Sequence, residues 1–287
     1  MASYLIVRFF IWIFRLMPFA VLELVSRFLA LVLQYAIRYR RGVMEQNLKS
    51  CFPDLDPGQI SETIRLAYRN LASVLLESIK GLSLSGAEIR ERNRMVDADL
   101  VDQYLDRGKS VICVCGHYAN WEWSVLGIGY RFPHKSIGIY KKINNPRVEA
   151  YIKGLRARST MKLLTTHETR FMTEDIPKGR LILLMSDQNP SNSRDAIWVN
   201  FFNRDTACLH GLEKYASQYD LPVIYMDMER LGPARYRLRF SLLCEHPAQL
   251  EKGELTQMFM SRLEETIRRY PPDWLWSHKR WKHKRKI

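Results

Sequence analysis

From Ser110 onward, short apolar runs alternate with stretches of helical periodicity, and this alternation is the tightest constraint on the fold. Ser110–Cys115, Ser136–Tyr140, Met161–Leu164, Leu181–Met185, Leu221–Met226 and Tyr236–Cys244 read as strands. Asn120–Tyr130, Pro146–Arg158 and Glu254–Tyr270 read as helices between or after them. Upstream, Ile60, Ile64, Ala67, Leu71, Leu75 and Ile79 recur at helical spacing, preceded by a basic loop and turn, "RYRRGVMEQNLKSCFPDLDPGQ". Strand–helix alternation predicts an α/β domain: a mixed central sheet with helices on its faces. At 287 residues the chain can bury a full core.

The first forty residues are the most hydrophobic part, yet Arg8, Arg15, Glu23 and Arg27 interrupt them. A membrane span needs about 20 mostly apolar residues, and no small-residue cleavage site marks a secretory signal. One or two amphipathic helices broken near Pro18, lying in a membrane interface with arginines reaching the head groups, fit this pattern. The crowding of Tyr4, Phe9, Phe10, Trp12 and Phe14 suits an interface better than a packed core. A tilted spanning anchor and a core helix of a soluble domain are the other readings. The expected organisation is a membrane segment over 1–40 and a folded domain over 41–287.

Lys and Arg number 44 against 30 Asp and Glu, a formal net charge of +14. Such an excess favours an anionic partner: a membrane surface, an acidic protein or nucleic acid. Nucleic-acid binding would call for a compact module with aromatics interleaved among basic residues on one face; the apolar N-terminus discriminates, and it points to lipid. The five cysteines, Cys51, Cys113, Cys115, Cys208 and Cys244, are odd in number and scattered. They predict reduced, buried thiols in a cytosol-facing protein, with no metal and no cofactor.

The stretch "CGHYANWEW" (Cys115–Trp123) ends a buried strand with a glycine, a histidine and, five positions on, a glutamate. Sites in open α/β sheets form at the carboxyl ends of strands, in turns leading to helices. Were both residues helical, five positions would separate them by about 140°. With His117 in the loop and Glu122 in the first helical turn, the carboxylate can reach back, orient the imidazole and make it a base for a hydroxyl. The same spacing in His246–Glu251 lacks a glycine-opened turn and a following helix, so spacing alone is weak.

"GHYANWE" resembles the histidine–four residues–acid motif of the bacterial lipid A late acyltransferases, a branch of the glycerolipid acyltransferase superfamily. Four further stretches resemble that family in order: "GVMEQNLKSCFPDL" (Gly42–Leu55), "IYKKINNPRVEAYIKGLRARS" (Ile139–Ser159), "LMSDQNP" (Leu184–Pro190) and "DWLWSHKRWK" (Asp273–Lys282). Together they cover nearly the whole chain. Departures are Lys141, where the family often has arginine, and Asn203, where it commonly has glycine.

The resemblance implies transfer of a fatty acyl group from an acyl carrier protein thioester to a hydroxyl of a lipid A precursor, at the cytoplasmic face of an anionic inner membrane. His117 would be the base and Glu122 would steady the imidazolium. No "GxSxG" elbow occurs, which favours direct transfer over an acyl-serine. Backbone amides near Gly116 or a basic side chain would stabilise the oxyanion. Lys141 and Arg158 are candidate ligands for phosphate or sugar oxygens, or else a solvated helix face. Asp187 and Gln188 would hold Arg158 or shape the loop over the acceptor, or else form a strand-end turn. Phe201 and Phe202 line an acyl groove or pack in the core, and core packing is the simpler expectation. Among the six basic residues in the last nine, Lys279, Arg280 and Lys282 are candidates for contact with anionic lipid or with acyl carrier protein. Two other functions fit the same residues: acyl transfer to a lyso-lipid, amino-acid lipid or other glycolipid, and non-catalytic membrane binding.

Overall fold

The structure, a computed structural model, describes residues 2–285. The chain opens with helices α1 (Ala2–Leu16), α2 (Phe19–Leu31), α3 (Arg41–Cys51), α4 (Pro57–Gly81) and α5 (Gly86–Arg92). It continues through β1 (Asn93–Val96), α6 (Asp99–Leu105), β2 (Val111–Cys115), α7 (Trp121–Arg131), β3 (Ser136–Tyr140), α8 (Pro146–Ala157), β4 (Lys162–Thr165) and β5 (Leu181–Met185). A hairpin of β6 (Ile197–Phe201) and β7 (Arg204–Cys208) precedes α9 (Gly211–Tyr219), β8 (Val223–Gly232), β9 (Arg235–Cys244) and α10 (Glu254–Arg269).

Among the described residues, seven strands form the main sheet in the order β1-β9-β8-β2-β5-β3-β4. Strand β2 lies between β5 and β8, parallel to both, and β3 is parallel to β5 and β4. The antiparallel pair is β8 with β9, with β1 added parallel to β9. The expected mixed α/β architecture is therefore present. All five residues of β2 are buried, as a central parallel strand covered on both faces requires. The carboxyl ends of β2, β3, β4 and β5 fall on one edge, and the candidate site forms there.

One element lies where the sequence reading placed loop, and another where it assigned no element. Helix α3 occupies the segment read as a basic loop; it buries Met44, Asn47, Leu48 and Cys51, an i, i+3, i+4, i+7 stripe masked by its charges. The β6–β7 hairpin turns at Phe202 and Asn203, both at positive φ. Phe201 and Phe202 are buried, stacking near Trp274, Trp281 and Phe52, so their core role holds.

Helices α1 and α2 dock on α4 through polar contacts. Lys80 of α4 donates from Nζ to the carbonyls of Phe14 (3.0 Å) and Met17 (2.8 Å), satisfying groups orphaned at the end of α1. Ser26 and Ser73 hydroxyls meet at 2.9 Å, and Arg69 pairs with Glu23 at 3.0 Å. The outer faces remain apolar: Leu16, Leu24 and Phe28 are each more than 60% exposed. Phe19–Ala36 is long and apolar enough to cross a membrane, and only 22% of it is buried within the protein.

Candidate active site

His117 lies two residues beyond Cys115, and Asp187 two residues beyond Met185. Cys115 and Met185 are register partners in the parallel β2–β5 pair, so the two side chains leave the sheet edge side by side. The ring Nδ1 of His117 is 2.6 Å from Oδ1 of Asp187, and the backbone N–H of His117 donates to Oδ2 at 2.9 Å. Trp274 Nε1 donates to the same Oδ2 at 3.0 Å. Gly116 permits this approach: a Cβ there would stand 2.7 Å from Leu263 Cδ1 and 3.3 Å from Asp187 Oδ2.

The histidine turn is braced from the C-terminal segment. Leu275 N donates to the His117 carbonyl (3.2 Å), Ala119 N to that of Asp273 (2.9 Å), and the Tyr118 hydroxyl to that of Tyr270 (2.8 Å). Ala119 sits at φ +48, a left-handed turn held by these contacts. Asn120 then caps α7, its side-chain oxygen accepting from Trp123 N at 3.0 Å. Its Nδ2 donates to the buried Glu77 of α4 at 2.7 Å, and Glu77 also accepts from the Tyr236 hydroxyl at 2.5 Å. Burial raises the pKa of Glu77, but these donors and Arg230 hold it back.

Asp187 is buried, which favours its neutral form. The His117 charge and hydrogen bonds, with Trp274, outweigh that effect and pull its pKa down to about 2. It is a carboxylate at neutral pH, an acceptor only, so the shared proton sits on Nδ1 of His117, and in the neutral imidazole Nε2 carries the free lone pair. Burial disfavours the imidazolium, but Asp187 and then Glu122 favour it more, and the His117 pKa is raised.

The acid that touches the imidazole is therefore Asp187, and the expected reach of Glu122 back to the ring is not made. Glu122 is in the first turn of α7, but its Oε2 accepts from Arg156 Nη2 of α8 at 2.8 Å. The ring nitrogen nearest the chain is already committed to β5, which leaves Glu122 acting on His117 through its charge. Asp187, expected near substrate or Arg158, instead orients the histidine.

His117, Glu122 and Arg156 stand at one side of a cavity of about 610 Å³, within the usual range for small-molecule sites. Lys141 lines it at the end of β3, as expected for a substrate contact. Leu163, Leu183, Leu212 and Tyr215 make its apolar wall. Arg158 is elsewhere: two residues, or about 200°, beyond Arg156, it faces α1. Gln188 is half-buried beside Asp187 and does not line the cavity.

Arg280, expected at the surface, is 1% exposed and donates to the Ala207 carbonyl (2.6 Å) and Cys208 Sγ (2.9 Å). It staples the chain end to the β7 strand. Lys279 and Lys282 are exposed. Asn47 donates from Nδ2 to the carbonyls of Trp276 and His278, both at 3.0 Å, so the segment after α2 and the chain terminus clamp each other. His278 Nε2 accepts from Asn189 N at 3.2 Å, ordering the loop behind Asp187; burial brings its pKa down to about 4, so it stays neutral.

Among the described residues, no hydroxyl or thiol is hydrogen-bonded to the His117 ring. Burial drives the nearby Cys113 and Cys115 thiols well above the ordinary range, so neither supplies a thiolate. The site thus offers an oriented imidazole, the cations Lys141, Arg156 and Lys214, and an apolar cavity, an arrangement suited to activating a hydroxyl beside a hydrocarbon chain.

Comparison with known proteins agrees with that class. The chain matches the bacterial lipid A biosynthesis acyltransferase family over residues 1–283 and belongs to it. It is 18% identical to the lipid A biosynthesis lauroyltransferase of Escherichia coli K12 over 276 residues, 95% of this chain and 89% of that protein. It is 19% identical to the lipid A biosynthesis acyltransferase of Haemophilus influenzae over 246 residues, 85% and 78% of the two chains. The protein is an acyltransferase.

Proposed function

We propose that this protein transfers a fatty acyl group from an acyl carrier protein thioester to a hydroxyl of a lipid A precursor, with His117 as general base. The observation that carries the reading is His117 held at 2.6 Å by the buried Asp187 on the rim of an apolar cavity. Nε2 takes the hydroxyl proton while the oxygen attacks the thioester carbonyl. The C–S bond then breaks, and the thiolate recovers the proton from the imidazolium. Asp187 keeps Nε2 unprotonated and steadies the ring once it is charged. The acyl chain occupies the cavity against Leu163, Leu183 and Leu212.

The amides of His117, Tyr118 and Ala119 already donate within the protein. In this reading a cation on the cavity wall, Arg156, Lys141 or Lys214, stabilises the developing oxyanion. Glu122 keeps Arg156 at the rim, and Lys141 supplies a point charge for an acceptor phosphate. In this reading residues 1–40 associate with the inner membrane and the site lies at its cytoplasmic face, which the apolar outer faces of α1 and α2 support. The exposed Lys279 and Lys282 offer contacts for an acidic carrier protein.

Mass spectrometry of total lipids tests the reading, in cells lacking the gene and complemented with wild type or His117→Ala. One acyl chain should vanish from lipid A in the deletion, return with wild type and stay absent with the variant. A change confined to another lipid would overturn the acceptor, and no change in any lipid would overturn the enzyme reading.

A further inference from the structure

Arg8 and Arg15 are seven residues, close to two full turns, apart on α1, so they share one row of that helix. Arg158 faces them from the residue that ends α8. The three guanidinium groups surround a cleft of about 230 Å³ whose floor includes Ile11, Leu82 and Leu155. No acidic residue lines it. Several other arginines of the N-terminal half are paired, as in Arg27–Glu23 and Arg65–Glu62. Among the described residues, no carboxylate lies within 4 Å of Arg8, Arg15 or Arg158. The contacts of the Arg8 side chain are the Tyr4 hydroxyl at 3.3 Å and the faces of the Tyr4 and Tyr151 rings.

Three unneutralised arginines around one small cleft repel each other and await an anion. Planar guanidinium forks match phosphate oxygens in particular. Their position names the source. On α1 the arginine row borders Trp12, which is 57% exposed and lines the cleft, and beyond it the exposed arc carries Leu5, Phe9 and Leu16. A tryptophan beside arginines at the edge of an apolar face marks the level of lipid head groups.

We propose that the cleft between α1 and α8 binds the phosphate of an anionic membrane lipid, held by Arg8, Arg15 and Arg158, with the lipid chains along the apolar face of α1. The site is separate from the His117 cavity, since Arg156 and Arg158 look to opposite sides of α8. It rests on the membrane reading above and goes beyond it by naming a headgroup site that ties α1 to the folded domain.

Co-flotation of the purified full-length chain with phosphatidylcholine vesicles, with and without about 20 mol % phosphatidylglycerol, tests this. Wild type should prefer the anionic vesicles. The Arg8→Gln, Arg15→Gln, Arg158→Gln triple variant should lose at least about tenfold of that preference while floating with neutral vesicles as wild type does. A control variant, Arg107→Gln, Lys178→Gln, Lys252→Gln, removes the same charge from exposed positions outside α1 and α8 and should keep the preference. Equal loss in both variants, or no anionic preference in wild type, would overturn the headgroup site. Failure of wild type to float with either vesicle would instead sink the membrane reading. Millimolar inorganic phosphate should compete weakly; abolition of the preference by it would reassign the cleft to a free anion.

Discussion

The indole N–H of Trp274 and the backbone N–H of His117 donate to the same carboxylate oxygen of Asp187, at 3.0 and 2.9 Å. The other oxygen faces the imidazole. Trp274 thereby fixes the carboxylate that orients His117, and the segment after α10 becomes part of the frame of the candidate site.

Replacing Asp187 with Asn tests that hierarchy. The amide can present its NH₂ to the ring and favour the wrong tautomer, so acyl transfer should fall by about 10²–10⁴-fold. The pH dependence should shift as well. With His117 as the proposed base its neutral form is the active one, so its raised pKa should put the rising limb of kcat/KM above the ordinary histidine value of about 6.5. Without the Asp187 charge, burial is opposed by Glu122 alone, and the limb should move to lower pH.

Glu122→Gln removes a charge that acts on His117 without touching it. The limb should move in the same direction but less than in Asp187→Asn, and the freed Arg156 should show itself as a rise in KM for the acceptor. A larger pH shift in Glu122→Gln than in Asp187→Asn would make Glu122 the governing acid.

Gly116→Ala drives a methyl against Leu263 and the Asp187 carboxylate. Overpacking at such a contact costs about 1–3 kcal/mol. Urea denaturation should show a loss of that size, accompanied by slower acyl transfer because the displaced atoms include those of Asp187.

Arg280→Ala should destabilise the protein by about 2–4 kcal/mol, since it empties a buried volume and strips the Ala207 carbonyl of its donor. The exposed neighbour Lys282 replaced by Ala should stay within about 0.5 kcal/mol of wild type. Denaturation midpoints of the two variants read this directly.

Filling the cavity with Leu212→Trp should shorten the preferred acyl chain. Each excluded methylene forfeits about 0.8 kcal/mol of burial, close to fourfold in relative kcat/KM. Competition between acyl donors of different length measures it.

Much of the fold was legible because its evidence is local. The all-buried β2 strand, the turn opened by Gly116 and the helix started at Asn120 are written in consecutive residues, and they placed His117 at a carboxyl strand end before any coordinates. The N-terminal apolar pattern and the burial of Phe201 and Phe202 were equally visible. Helix α3 carried a readable stripe, but charge on its outer face hid it.

Which acid serves the histidine was a matter for tertiary structure. Glu122 is five residues from His117 and Asp187 seventy, yet parallel pairing of β2 with β5 makes the distant one the neighbour. Arg156 and Arg158 differ by two positions, and only the docking of α1 and α7 on opposite sides of α8 sends one to the cavity and the other to a second cleft. Arg280 reads as one more cation in a basic tail until the hairpin closes over it. Sequence fixes which residues share a strand or a helix face, because that is short-range geometry. Contacts between elements depend on how the sheet is ordered and which faces are buried against each other, and those are decided by the packing of the whole chain.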